Sequence, residues 1–184
     1  MTRNLLLLFF MATTGVAFSQ TAFGIKAGLN VSNIHYNIEG ASPEGATGLY
    51  AGTFVDFTLS PKFHLQPEVM YSVEGIKDGS VTFVNVPVVL KWFFAENIQL
   101  HAGPQLGVVI DAEGGTNGLE STILSGVFGL GYEMPSGFQI STRFAMGATS
   151  IIDKNFKVDS GMGYDLVGIK GWTRTFQLGL GYKF

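Results

Sequence analysis

The stretch FQLGLGYKF, residues 176–184, ends on an aromatic. Phe176, Leu178, Leu180, Tyr182 and Phe184 alternate with Gln177, Gly179, Gly181 and Lys183, the period of a strand with one apolar face. A strand that runs to its last residue presents an unpaired edge. The question is what pairs with it.

Seven more runs of the same kind precede it. Phe23, Ile25, Ala27, Leu29 and Val31 alternate with Gly24, Lys26, Gly28, Asn30 and Ser32. Leu49, Ala51, Val55, Phe57 and Leu59 oppose Gly52, Asp56 and Thr58; Phe63, Leu65, Val69, Tyr71 and Val73 oppose His64, Gln66, Glu68 and Ser72. Val84, Val86, Val88, Leu90, Trp92 and Phe94 oppose Asn85, Pro87 and Lys91. A fifth run sets Ile98, Leu100, Leu106, Val108 and Ile110 against Gln99, His101, Gly103, Gln105 and Gly107. The sixth and seventh set Leu124, Phe128, Leu130 and Tyr132, then Phe138, Ile140, Phe144 and Met146, against Gly129, Gly131, Glu133, Gln139, Ser141, Arg143 and Gly147. Helical periodicity is hard to find.

Three connections are tight turns: Ser60-Pro61-Lys62, Ala95-Glu96-Asn97 and Pro135-Ser136-Gly137. The other four, roughly residues 33–47, 74–80, 111–121 and 151–171, read as longer loops rich in Gly, Ser, Asn, Asp and Glu. Short and long connections alternate, so the short turns gather at one end of an up-and-down meander and the long loops at the other. That is the plan of a transmembrane β-barrel, with short periplasmic turns and an even number of strands. The runs also clear the roughly 9–11 residues of a tilted crossing. The expectation is an all-β, eight-stranded antiparallel barrel whose last strand closes on its first, because an open edge cannot face lipid.

Composition agrees. Hydrophobic residues make up 46% and charged ones 14%, where a soluble domain has about 25% charged. The only continuous apolar run is near the start, in MTRNLLLLFFMATTGVAFSQ. Arg3, then Leu5 to Met11, then Ala17 and Ser19 at the −3 and −1 positions read as a signal peptide over residues 1–19. The barrel domain is then 20–184. With no cysteine there is no lipoprotein anchor, disulfide or thiolate chemistry. A net charge of −3 without a basic patch argues against nucleic acid.

A soluble, lipocalin-like barrel would carry its apolar residues inward and a polar exterior. Here the second face mixes Lys26, Asp56, Glu68, Lys91, Glu133, Arg143 and Lys183 with many of the 25 glycines. Small residues leave room in a narrow lumen for long charged ones, and eight strands enclose a space that side chains just fill. These seven charges are expected to form an ion network across a plugged lumen, with a gated polar path as the alternative. Phe63, Trp92, Phe94, Tyr132, Phe138, Tyr182 and Phe184 gather at the short-turn end of the apolar face, and Tyr71 and Trp172 mark the other end, as interface girdles do.

The stretches VNVPVVLKWFF (84–94), HAGPQLGVVI (101–110), VFGLGYEM (127–134), RFAMGATSI (143–151) and the closing FQLGLGYKF resemble the PorT-like outer-membrane barrels, the "porin family" of Bacteroidetes-type bacteria. The resemblance implies an outer-membrane location, lipid as the surrounding partner, and handling by the barrel-assembly machinery. It implies that Phe176, Leu178, Leu180, Tyr182 and Phe184 act as the C-terminal assembly signal. It also implies, for some members, a secretion-system protein partner.

Other chemistry is thin. His64 and His101 face inward near Glu68, but a metal centre wants three or four converging ligands, so neither metal nor other cofactor is expected. His35 and loop serines offer no fixed triad, and no catalytic residue is assigned. Phe156, Met162, Tyr164 and Leu166 could contact an extracellular partner or pack over the barrel mouth. A binding or scaffold barrel is the favoured reading, ahead of a narrow channel for small solutes or ions, and then of a lipid-modifying enzyme.

Overall fold

The computed structural model describes residues 21–37, 44–76, 79–153, 158–159, 165–166 and 170–184. Residues 1–20, with the signal-peptide reading, lie outside these, as do Phe156, Met162 and Tyr164. Eight long strands make the wall: β1 (Thr21–Tyr36), β2 (Ala46–Ser60), β3 (Phe63–Ile76), β4 (Gly79–Phe93), β5 (Ile98–Ala112), β6 (Thr122–Glu133), β7 (Phe138–Gly147) and β10 (Gly171–Lys183). Two-residue strands β8 (Val158–Asp159) and β9 (Asp165–Leu166) pair with each other outside it.

The eight strands close in the order β1-β10-β7-β6-β5-β4-β3-β2. Every neighbour is antiparallel, and the closing seam aligns Gly24 with Lys183 through Tyr36 with Gly171. The terminal strand therefore pairs with the first, and Phe184 donates its backbone N–H to the Phe23 carbonyl. No open edge remains in the ring, as hydrocarbon requires. Alternation sends Phe23, Ile25, Leu29, Leu49, Val69, Leu130, Phe176 and Leu180 outward, all exposed. Lys26, Asn30, Glu68, Lys91, Gln177 and their neighbours turn inward and are buried.

One expected loop is largely taken up by strand. Residues 74–80 read as a long connection, yet β3 runs to Ile76 and β4 begins at Gly79. Pairing continues through Glu74–Val81, Gly75–Ser80 and Ile76–Gly79. Glu74 belongs to the inner face of β3, where polarity is expected, and short and long connections do not alternate throughout. A second departure concerns the loop end. There Ile34, Val81, Phe83, Ala112, Ile123 and Ile151 pack inward as an apolar cluster. Segments 113–121 and 148–153 fold over it, joined by a Leu119–Ile152 bridge and by the Glu120 N–H bonded to the Ile151 carbonyl.

Several inward glycines are contact sites for rings carried by other strands. A Cβ at Gly24 would overlap the Phe54 ring, and one at Gly179 would overlap the Tyr50 hydroxyl. Phe54 and Tyr50 are themselves buried, so neither ring can step aside into open space. Gly24→Val and Gly179→Val should each cost about 1–3 kcal/mol by overpacking. On refolding into detergent, the heat-modifiable band should shrink for both variants and stay unchanged for Leu29→Val on the outer face. Wild-type refolding of the glycine variants would refute this packing account.

Candidate functional site

The lumen is the site, and its centre is Glu68 on β3. Its side chain is inaccessible to solvent, and its carboxylate accepts five hydrogen bonds. Arg143 on β7 donates from Nη1 and Nη2, one to each oxygen, at 2.8 Å. Lys26 Nζ on β1 reaches both oxygens at 2.9 Å, and Gln66 Nε2 reaches Oε1 at 2.7 Å. A bidentate guanidinium with a second cation is the geometry that compensates a buried carboxylate. β3 and β7 stand on opposite sides of the ring, so the Glu68–Arg143 pair spans the lumen.

A second group lies toward the short-turn end. Lys91 Nζ donates to Asp56 at 2.8 Å, to Glu133 at 2.9 Å and to the Gln66 side-chain oxygen at 3.2 Å. Asp56 also holds His64 Nδ1 at 2.5 Å, and Glu133 pairs with Lys183 and accepts from Gln139. Gln66 joins the two groups by donating to Glu68 and accepting from Lys91. All seven charges singled out from the sequence thus share one connected network. It ends at an open bowl of about 540 Å³ walled by Pro61, His64, Phe93, Glu133, Tyr182 and Phe184.

The histidines take separate places. His101 accepts from Arg143 Nε at Nε2 (3.3 Å) and faces Gln99 Oε1 through Nδ1 (3.2 Å). That arrangement places the imidazole proton on Nδ1. His64 belongs to Asp56 and stacks obliquely on Phe93, with centroids 4.8 Å apart. His35 points outward and is exposed. Among the described residues no three His, Cys, Asp or Glu side chains converge as metal ligands.

Sequence reasoning missed Glu74, placed in the 74–80 connection although it lies within β3. It is buried, accepting from Ser72 at 2.8 Å, Asn85 at 3.1 Å and Thr175 at 2.5 Å. Asn30 extends this upper network, donating to Ser72 at 2.8 Å and accepting from Gln177 at 3.0 Å. The strand continuation of Val73, Gly75 and Ile76 could have revealed it, because Glu74 keeps the parity of Ser72 and Glu68. Counting Glu74 turns three inward acids against four bases into an even balance among these groups. The network also leaves little unsatisfied: Gln105 Oε1 is the buried side-chain atom without a partner among the described residues.

The lining residues divide by size. Val89, Val127 and Ala145 form a small apolar wall on β4, β6 and β7, and Gly129 lies under the His101 ring. Long side chains from β1, β3 and β7 occupy the space those residues leave. Removing one partner of a buried network exposes the others to an uncompensated charge, at about 3–5 kcal/mol. Glu68→Gln should therefore lower the unfolding free energy of the refolded barrel in urea by that much and its midpoint with it, with Lys62→Gln in the β2–β3 turn unchanged. Equal midpoints for all three proteins would mean that the network contributes nothing.

Against this geometry, comparisons with known proteins give a consistent picture. Residues 5–184 match the family described as the outer membrane protein beta-barrel domain. No curated protein matches the sequence. Among solved structures, Neisserial surface protein A (NspA) is similar at 13% identity and a TM-score of 0.57, over 88% of this chain and 97% of that one. Ail, the attachment invasion locus protein of Yersinia pestis, is similar at 14% identity and a TM-score of 0.53, over 90% of this chain and 99% of that one. At such identities the likeness shows the fold. With the closed eight-stranded ring, the outward apolar belt and the family match over nearly its whole length, this chain belongs to the outer membrane protein beta-barrel domain family and resides in the Gram-negative outer membrane.

Proposed function

We propose that this protein is a closed barrel that acts by presenting surfaces and does not pass solutes through its lumen. The observation that carries the reading is occlusion at two heights by unlike chemistry. In the middle, Glu68, Arg143 and Lys26 meet across the ring. At the loop end, Ile34, Val81, Phe83, Ile123 and Ile151 fill the same cross-section with hydrocarbon. A solute path would have to separate buried charges and also wet an apolar constriction. Interaction then falls to the loop-end surface, toward an extracellular protein, or to the short-turn face, toward a secretion assembly of the kind the PorT-like resemblance implies. On this reading the barrel has no catalytic centre, and the connected charges serve as structure.

The second reading, a narrow ion channel, draws on one specific feature. The ion network is continuous from the open bowl at the short-turn end to Arg143. Planar-bilayer recording of the refolded, heat-modifiable protein separates the two. The closed reading expects no discrete openings in molar KCl from either wild type or Phe83→Ala, because the charged layer still seals the barrel. Openings in wild type whose amplitude changes in Arg143→Ala would replace it with the channel.

A further inference from the structure

The outer face carries a depression that the closed-lumen reading does not involve. It encloses about 600 Å³ and is lined by Ile25, Ala27, Ala51, Thr53, Leu180 and Tyr182, with Phe138 at one end. Its shape follows from residue size along two paired rows. Leu180, Ala27, Ala51 and Tyr71 stand side by side on β10, β1, β2 and β3, so two methyl groups are flanked by two large side chains. The next row toward the loops is Leu178, Leu29 and Leu49, all exposed leucines that form a rim. The row below is Phe138, Tyr182, Ile25 and Thr53.

The depression has a direction. Tyr182 is next to the end of β10, Ile25 is the fifth residue of β1, and Thr53 is the eighth from the end of β2. All three of those strand ends belong to the short-turn side, so the trough rises obliquely from there into the apolar belt. At its foot Phe138 and Tyr182 pack edge to face, with centroids 5.6 Å apart, and Tyr182 packs likewise on Phe184 at 5.1 Å. Aromatics with a polar tip mark the bilayer interface. The trough therefore starts at an interface and ends in hydrocarbon, which is the course of a lipid chain.

We propose that this trough is a binding groove for one acyl chain of a phospholipid in the leaflet at the short-turn end, with its headgroup beside Tyr182. The lining supplies no charge to recognise a polar ligand, since Lys26 turns its ammonium to Glu68 in the lumen. A second copy of the barrel fits poorly. A two-fold contact brings the same patch of each subunit together, so a hollow would meet a hollow and leave a void with no dispersion contacts. A flexible chain fills such a hollow, and packing against Ala27 and Ala51 brings it closer to the backbone than the leucine-covered rows allow.

The test uses the full refolded barrel reconstituted with dioleoylphosphatidylcholine, extracted into mild detergent and weighed by native mass spectrometry. Wild type should retain one phospholipid per barrel. Ala27→Leu/Ala51→Leu, which fills the trough from the outer face, should reduce that adduct at least tenfold while remaining heat-modifiable. If the double variant fails to fold, Ala51→Val alone should give a graded reduction. Equal retention in wild type and a folded filled variant overturns the proposal. So does a wild-type dimer that the filling substitutions dissociate, which would assign the trough to a second copy.

Discussion

A carboxylate with no access to water, held by two cations from other strands, is the constraint around which this barrel is arranged. Glu68 on β3 meets Arg143 on β7 at 2.8 Å and Lys26 on β1 at 2.9 Å. Isolated, a charge in such a place costs several kcal/mol. The surrounding lumen is built so that it is never isolated. Small residues on β4, β6 and β7 open the space that the guanidinium and ammonium stems need. The ring order sets β3 opposite β7, so satisfying Glu68 also ties the two sides of the barrel together. Backbone pairing closes the wall; this triad closes the interior.

The interior is graded along its length. Charges crowd the short-turn half, where Lys91 bridges Asp56 and Glu133 and the bowl admits water to the outermost members. Neutral amides and hydroxyls around Asn30, Gln177 and Glu74 follow. Hydrocarbon finishes the loop end. Each layer suits its exposure, since ion pairs near water are cheap to hold and an apolar cap excludes water from the polar layer beneath. The outer surface follows a different rule, set by lipid, and there the departure from uniform bulk at Ala27 and Ala51 stands out because every neighbouring row is filled.

The strand count, the closed ring and the two faces were legible because period two is a local property of the chain. Lys26 announces its face through Ile25 and Ala27 alone. Which charge it meets is not local: Glu68 is 42 residues away, and the pairing depends on the stagger of strands that no single run records. The misread 74–80 segment shows the same limit from the other side. Glu74 looks like a loop residue until the barrel wall is known to extend that far, and then its polarity marks the inner face it shares with Ser72 and Glu68. The inward turn of Ile34, Val81 and Phe83 was hidden too, because an apolar residue on either side of this wall is chemically reasonable. Polarity alone could not say where the belt ended and the cap began.

The most direct test of the central claim is a double-mutant cycle on the pair that spans the lumen, read as unfolding free energy of the refolded barrel in urea. Glu68→Gln and Arg143→Met are measured singly and together. If the two groups hold each other, the double variant loses less than the sum of the single losses, with a coupling energy of about 1–3 kcal/mol. Losses that simply add would contradict the account, and would mean that the barrel stands on its backbone ring and not on the charges it encloses.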